Sequence, residues 1–266
     1  MDIFNEVVCV QMDYIDGRLE ANVEKAIGFI QEIRSENSHA ALVVFPEMAL
    51  FGYDRLELLD TLSQEDVNSA LGLIAAECSK ANLQVVIGGP FIFYNEEGKR
   101  IVENAVYFIS SKGEVQHIYS KAHLISSEKD FFEANQSFAV CNTALGKTGF
   151  LICWDSAFAE MGRFYGMIKV DAIIVIAAWE APYLHQWQLS VEGRSFDNSV
   201  PVIATNRVGS TERNSFFGHS IITDSLGNVV AENTSEKEGY ISAKITGLRK
   251  TEELKQFGSP IAELKM

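Results

Sequence analysis

The stretch Phe150–Glu180, FLICWDSAFAEMGRFYGMIKVDAIIVIAAWE, packs a strand end, a helix and a second strand into one short span. Phe150–Cys153 is apolar up to a reactive side chain. Glu160–Ile168 sets Met161, Phe164, Met167 and Ile168 at helical spacing, and Ala172–Ala178 is an apolar, β-branched run. Downstream the alternation continues with a helix over Gln186–Asp197 and a strand over Val202–Thr205. Phe217–Thr223 and Asn228–Ala231, joined by Ser225-Leu226-Gly227, then read as a hairpin. Upstream the same order appears: strand Val7–Val10, a helix with Leu19, Val23, Ala26, Ile27, Ile30 and Ile33 in register, and strand Ala41–Phe45. A helix opened by Ser63 with Asp66 three residues on runs to about Lys80, and Val85–Gly88 follows as a strand. Val102–Ile109 and Glu114–Tyr119 flank Ser111-Lys112-Gly113 as a second hairpin. Two βαβαβ halves with added antiparallel strands predict an α/β fold, a four-layer α-β-β-α sandwich forming one domain over residues 1–266.

Composition narrows the function. The 266 residues hold 22 Lys and Arg against 36 Asp and Glu, a net charge of −14. Without a basic stripe, so acidic a body repels nucleic acid. The longest apolar run, Ala172–Trp179, falls well short of the ~20 residues that cross a bilayer. No Lys or Arg precedes Arg18, so the basic start of a signal peptide is missing. Cys9, Cys78, Cys141 and Cys153 are too scattered for a disulfide framework. The expectation is a cytoplasmic protein with no nucleic-acid or membrane partner. Leu145-Gly146-Lys147-Thr148 resembles the tail of a phosphate loop, but Cys141 stands where that loop needs glycine. The five histidines lack ligand spacing, so no metal site and no cofactor are expected.

Three reactive residues stand just past apolar strands. Glu47 follows ALVVF in Phe45-Pro46-Glu47. Lys121 lies in Tyr119-Ser120-Lys121-Ala122-His123-Leu124, and Cys153 in Leu151-Ile152-Cys153-Trp154-Asp155. Strand carboxyl ends are where α/β folds gather ligands. A buried Cys is usually core, which suits Cys9 and Cys78. Cys153 differs because Asp155 or Ser156 is placed to cap a following helix, whose N-terminus would lower the thiol pKa. His123 reads as a structural hydrogen-bonding residue.

Taken in order, F-P-E, Y-x-K-x-H-L and L-I-C-W-D resemble the nitrilase superfamily of carbon–nitrogen hydrolases. Gln11-Met12-Asp13, Trp187, Gly193-Arg194-Ser195, Asn198, Asn206-Arg207 and Phe217-Gly218-His219-Ser220 extend the resemblance over nearly the whole chain. It implies a catalytic triad of Glu47, Lys121 and Cys153, with Glu128 of Glu128-Lys129-Asp130-Phe131-Phe132-Glu133 as a second glutamate and Glu133 close by. The implied activity is cofactor-independent hydrolysis of a small amide or N-carbamoyl amine through a Cys thioester, releasing ammonia. The alternatives are nitrile hydrolysis and a non-catalytic binding or scaffold role. The sequence departs from the family after the cysteine, where R-F-P-E becomes Ala157-Phe158-Ala159-Glu160. Tyr53, Trp154, Trp179 and Glu180 are expected to contact the substrate, with Glu180 favouring a neutral or cationic one. The resemblance further implies a homodimer or higher homo-oligomer, pairing through Met161–Ile168 and the stretch up to Met266.

Overall fold

The computed structural model describes residues 5–248 and places two six-stranded sheets face to face. The first sheet contains β1 (Glu6–Gln11), β2 (Ala40–Val44), β3 (Gln84–Tyr94), β4 (Arg100–Ile109) and β5 (Val115–Ser120), with α1 (Leu19–Glu36) and α2 (Gln64–Ala81) between its first three strands. The second contains β6 (Val140–Thr143), β7 (Gly146–Ile152), β8 (Ala172–Ala177) and β9 (Val202–Asn206), with α3 (Ala159–Met167) and α4 (Leu184–Asn198) as crossovers. A small pair, β10 (Val208–Ser210) and β11 (Ser215–Phe217), precedes β12 (Ile221–Thr223), β13 (Val229–Glu232) and β14 (Gly239–Lys244). The sheet orders are β14-β1-β2-β3-β4-β5 and β13-β12-β9-β8-β7-β6. Pairing is parallel within β1-β2-β3 and β7-β8-β9, and antiparallel elsewhere.

Period-two alternation decides which residues meet which layer. On the first sheet Val8, Val10, Val43, Val85 and Ile87 join α1 and α2 in one core. Their neighbours Val7, Cys9, Leu42, Val44 and Val86 join the second sheet in the other. Thus Cys9 is core, as is Cys78 on α2. The Ser63–Asp66 capping box opens α2 as the spacing predicts.

Four local expectations change. β3 runs on to Tyr94 and pairs with β4, because Gly88 and Gly89 let the 46–50 loop lie against a strand that any side chain would obstruct. Phe217–Thr223 is not one strand: Gly218 and His219, at φ 73° and 53°, turn the chain between β11 and β12. β6 and β14 were not expected; both are edge strands with largely exposed or half-buried residues, so neither shows an apolar run. Asp155 and Ser156 do not cap α3, which starts at Ala159 behind Phe158; Cys153–Ala157 forms a separate 3₁₀ turn.

Of the expected pairing surface, Met161 is buried, Phe164 stacks on Phe138 at 3.8 Å and Met167 is exposed. The stretch from 249 to Met266 lies outside the described residues. Among those residues no helix is long and apolar enough to cross a membrane.

Candidate active site

Glu47, Lys121, Glu128 and Cys153 converge where loops from the two sheets meet. Glu47 sits two residues beyond Phe45, whose N–H still pairs with Val86 of β3. The loop then turns sharply, with Met48 at φ 52°. A Cβ on Gly88 would stand 2.5 Å from the Met48 nitrogen, so this glycine allows the turn to approach β3. The Tyr14 hydroxyl donates to the Glu47 carbonyl at 2.8 Å and secures the loop from the other side.

Each oxygen of the Glu47 carboxylate is matched. Oε1 accepts from Lys121 Nζ at 2.8 Å and Asn104 Nδ2 at 2.7 Å, and Oε2 accepts from the Ala178 N–H at 2.7 Å, just past β8. Lys121 Nζ also donates to Glu128 Oε1 at 2.7 Å. Glu128 Oε1 accepts from the Tyr53 hydroxyl at 3.1 Å, and Oε2 from the Ile125 N–H at 2.9 Å. Glu47, Lys121 and Glu128 are all 0% exposed. Of the two neighbouring glutamates, Glu128 joins this cluster, whereas Glu133 lies on the surface 3.6 Å from Lys99.

Two carboxylates around one ammonium, dry, is an arrangement that stability alone does not favour. Burial pushes Glu47 above the usual glutamate pKa, and Lys121 opposes this more than Glu128 adds to it. Burial alone would depress Lys121, but Glu128 and Glu47 outweigh it and hold the ammonium well above its ordinary pKa.

Cys153 follows β7 in the left-handed region, at φ 49°. For a non-glycine residue that conformation costs on the order of 1–3 kcal/mol and persists where surrounding structure enforces it. The expected thiol activation by a helix N-terminus is not what the fold provides. A single 3₁₀ turn follows the cysteine, and burial, then the nearby Glu47 charge, push the thiol well above its ordinary pKa. The Glu47 carboxylate is the nearby charge that acts most on the thiol, so a proton acceptor stands beside it.

Cys153 opens onto a cavity of about 380 Å³ lined by Tyr53, Ile125, Trp154, Ala178, Trp179, Glu180, Tyr183 and Gln186. All four expected substrate contacts line it. Trp154 and Trp179 lie 5.6 Å apart at 49°. Asn206 fixes the Trp179 backbone by accepting from its N–H at 2.7 Å and donating to its carbonyl at 3.2 Å. The Glu180 carboxyl has no hydrogen-bond or ion-pair partner among the described residues; burial first, then Asp54, raises its pKa. The expected structural role of His123 holds, since its Nδ1 lies 2.9 Å from Asp155 Oδ1. Among the described residues no cluster of three or more His, Cys, Asp or Glu side chains is arranged to hold a metal ion.

Sequence reasoning missed Asn104. It is fully buried, donates to Glu47, and its Oδ1 has no hydrogen-bond partner among the described residues. Its signal was Glu103-Asn104, two polar residues inside an otherwise apolar strand.

This fold and this site define a carbon–nitrogen hydrolase scaffold, and comparison with known proteins agrees. The carbon-nitrogen hydrolase family model matches residues 6–253. A probable nitrilase of Schizosaccharomyces pombe is 31% identical over 89% of this chain and 86% of its own length. The 2-oxoglutaramate amidase of Bacillus subtilis is 32% identical over 90% of each. In structure, a carbon-nitrogen hydrolase from Helicobacter pylori superposes with a TM-score of 0.85 at 20% identity, covering 98% of this chain and 95% of that one. The chain belongs to the carbon-nitrogen hydrolase family, within the nitrilase superfamily.

Proposed function

We propose that this protein hydrolyses small amides through a covalent Cys153 thioester, releasing ammonia without a cofactor. The observation that supports this most is the buried Lys121 ammonium held between Glu47 and Glu128 beside the Cys153 thiol, on which both carboxylates and the ammonium act. An amide carbonyl is a weak electrophile and needs both a strong nucleophile and stabilisation of the oxyanion. Glu47 takes the Cys153 proton as sulfur attacks the carbonyl carbon. Lys121 and the Trp154 N–H stabilise the oxyanion. Glu47 returns the proton to the departing nitrogen, and ammonia leaves as the C–N bond breaks. Water then enters, Glu47 removes its proton, and attack on the thioester releases the acid and regenerates the thiol. Glu128 anchors Lys121 and orients the amide nitrogen. Because these groups titrate together, any pH profile belongs to the set.

The cavity supports a neutral or cationic R group. No Lys or Arg is among the residues lining it, Ala157 stands where the family pattern has Arg, and Glu180 contributes an unpaired carboxyl. A carboxylate-bearing amide such as 2-oxoglutaramate would meet Glu180 unfavourably. Ammonia release should be measured over neutral, amine-bearing and carboxylate-bearing amides, N-carbamoyl amines and nitriles, with Cys153→Ala as the blank. Release from amides that vanishes in the blank is expected. Nitrile-only activity, or activity that survives in the blank, would overturn the reading.

A further inference from the structure

Asp155 is a buried carboxylate outside the reacting groups, and its four donors come from the flanks of two of them. Its Oδ2 accepts from the Tyr119 hydroxyl at 2.8 Å and the Ile152 N–H at 3.1 Å. Its Oδ1 accepts from the His123 N–H at 2.9 Å and lies 2.9 Å from His123 Nδ1, which therefore bears the proton. Tyr119 and His123 stand two residues before and two after Lys121. Ile152 immediately precedes Cys153, and Asp155 itself stands two residues after it. Lys121 belongs to the end of the first sheet and Cys153 to the end of the second.

We infer that Asp155 is a positioning residue that fixes Cys153 and Lys121 relative to each other across the two sheets, and so sets the reactivity of the thiol. The inference rests on Cys153 being the nucleophile. Among the described residues the hydrogen bonds of the Lys121 ammonium go to Glu47, past β2, and to Glu128, in the loop that follows β5, and neither comes from the cysteine turn. The other side-chain bonds on the cysteine turn among the described residues, Ser156 Oγ to the Cys153 carbonyl and Arg194 to the Ser156 carbonyl at 2.9 Å, lead to Ser190 and Arg194 of α4 and do not reach Lys121. Glu47 and the Ala178 N–H make a second bridge between the sheets, but it meets β8 and not the cysteine turn. Among the described residues Asp155 alone has a side chain bonded on both sides of Lys121 and directly to the strand end that presents the thiol. The same carboxylate braces the left-handed backbone at Cys153, since its bond to Ile152 closes the 3₁₀ turn. His123 stacks on Phe158 at 3.7 Å, which holds its ring against Asp155.

An amide in place of the carboxylate cannot accept at both ends, so Asp155→Asn should loosen the bridge with little change in shape. Tyr119→Phe and His123→Ala remove one strut each. The readouts on the full chain are kcat and KM for an amide substrate, the rate of Cys153 alkylation by iodoacetamide, and thermal unfolding. Asp155→Asn should lower kcat about a hundredfold while KM changes by less than about threefold, as expected of misplaced reacting groups. Alkylation of Cys153 should slow about tenfold, and the single-strut variants should show the same pattern with smaller losses. Reduced thermal stability with kcat and alkylation unchanged per folded molecule would overturn the inference, as would a change confined to KM. Should Asp155→Asn fail to fold, Tyr119→Phe and His123→Ala decide on the same readouts. Alkylation needs no substrate, so it separates this inference from the amide reading: activity surviving in Cys153→Ala would remove the reading beneath it.

Discussion

The two sheets bring opposite environments to one site. Loops of the first supply Glu47, Lys121 and Glu128, wholly buried, with every carboxylate oxygen matched to a donor. The second supplies Cys153 on the wall of a cavity whose rim includes Trp154 and Tyr183, 39% and 49% exposed, and the unpaired Glu180. A dry, saturated cluster cannot rearrange cheaply, whereas a half-open aromatic wall tolerates change. On the proposed mechanism, proton handling and charge stabilisation belong to the first region and choice of substrate to the second. Substitutions in the first should cut kcat, and those in the second should move KM.

The sharpest break of that division comes from the buried cluster. Glu47→Gln should reduce kcat by about a thousandfold or more, the scale seen when one member of a catalytic set is removed, and steady-state kinetics would measure it. Lys121→Met tests the same region through folding. It leaves buried carboxylates without their cation and should cost about 3–5 kcal/mol in urea unfolding at pH 7.5. Glu47, already raised by burial, would rise further without Lys121. A carboxyl whose folded pKa lies above its unfolded value favours the folded state most when protonated, so part of the loss should return as the pH falls toward 5. Loss that deepens on acidification would contradict the assignment.

A third prediction concerns pH. Glu47 must be ionised to accept the thiol proton, and burial raises its pKa, so the acid limb of kcat/KM should lie above the usual glutamate range. Asn104→Leu removes a donor to the ionised form and should move that limb upward again, with KM nearly unchanged. The smallest effect belongs to the open wall. Glu180→Gln should raise KM for amine-bearing amides about fivefold, the size of a partly exposed ion pair worth ~1 kcal/mol, with neutral amides unaffected. Equal effects on both would remove Glu180 from substrate selection.

The same contrast explains how much could be read from sequence. Glu47 and Cys153 were legible because each follows an apolar, parallel strand buried on both faces, whereas Lys121 follows β5, an antiparallel edge strand with exposed residues, and was legible only through its motif. α2 was legible through its capping box. The edge strands β6 and β14 were hidden because their residues are half exposed and show no period. The thiol environment was misread because proximity to a helix start suggests a lowered pKa, while the fold inserts a 3₁₀ turn and buries the sulfur. Asp155 looked like a helix cap from its spacing alone. Its role as a bridge depends on Tyr119 and His123, residues more than thirty positions away that only the stacking of the two sheets brings near. Glu180 could be placed past a strand end, but not aimed; its partnerless position on the cavity wall is a tertiary fact.

The central claim is that Cys153 becomes acylated during turnover. Protein mixed with a hydrolysable amide and quenched in acid within the first turnovers should gain the mass of the acyl group, located to the peptide containing Cys153. Cys9 and Cys78, fully buried in the two cores, and Cys141 on β6 do not line the cavity and should remain unmodified. Ammonia release with no acyl adduct on Cys153, at a quench fast enough to precede hydrolysis, would contradict the account.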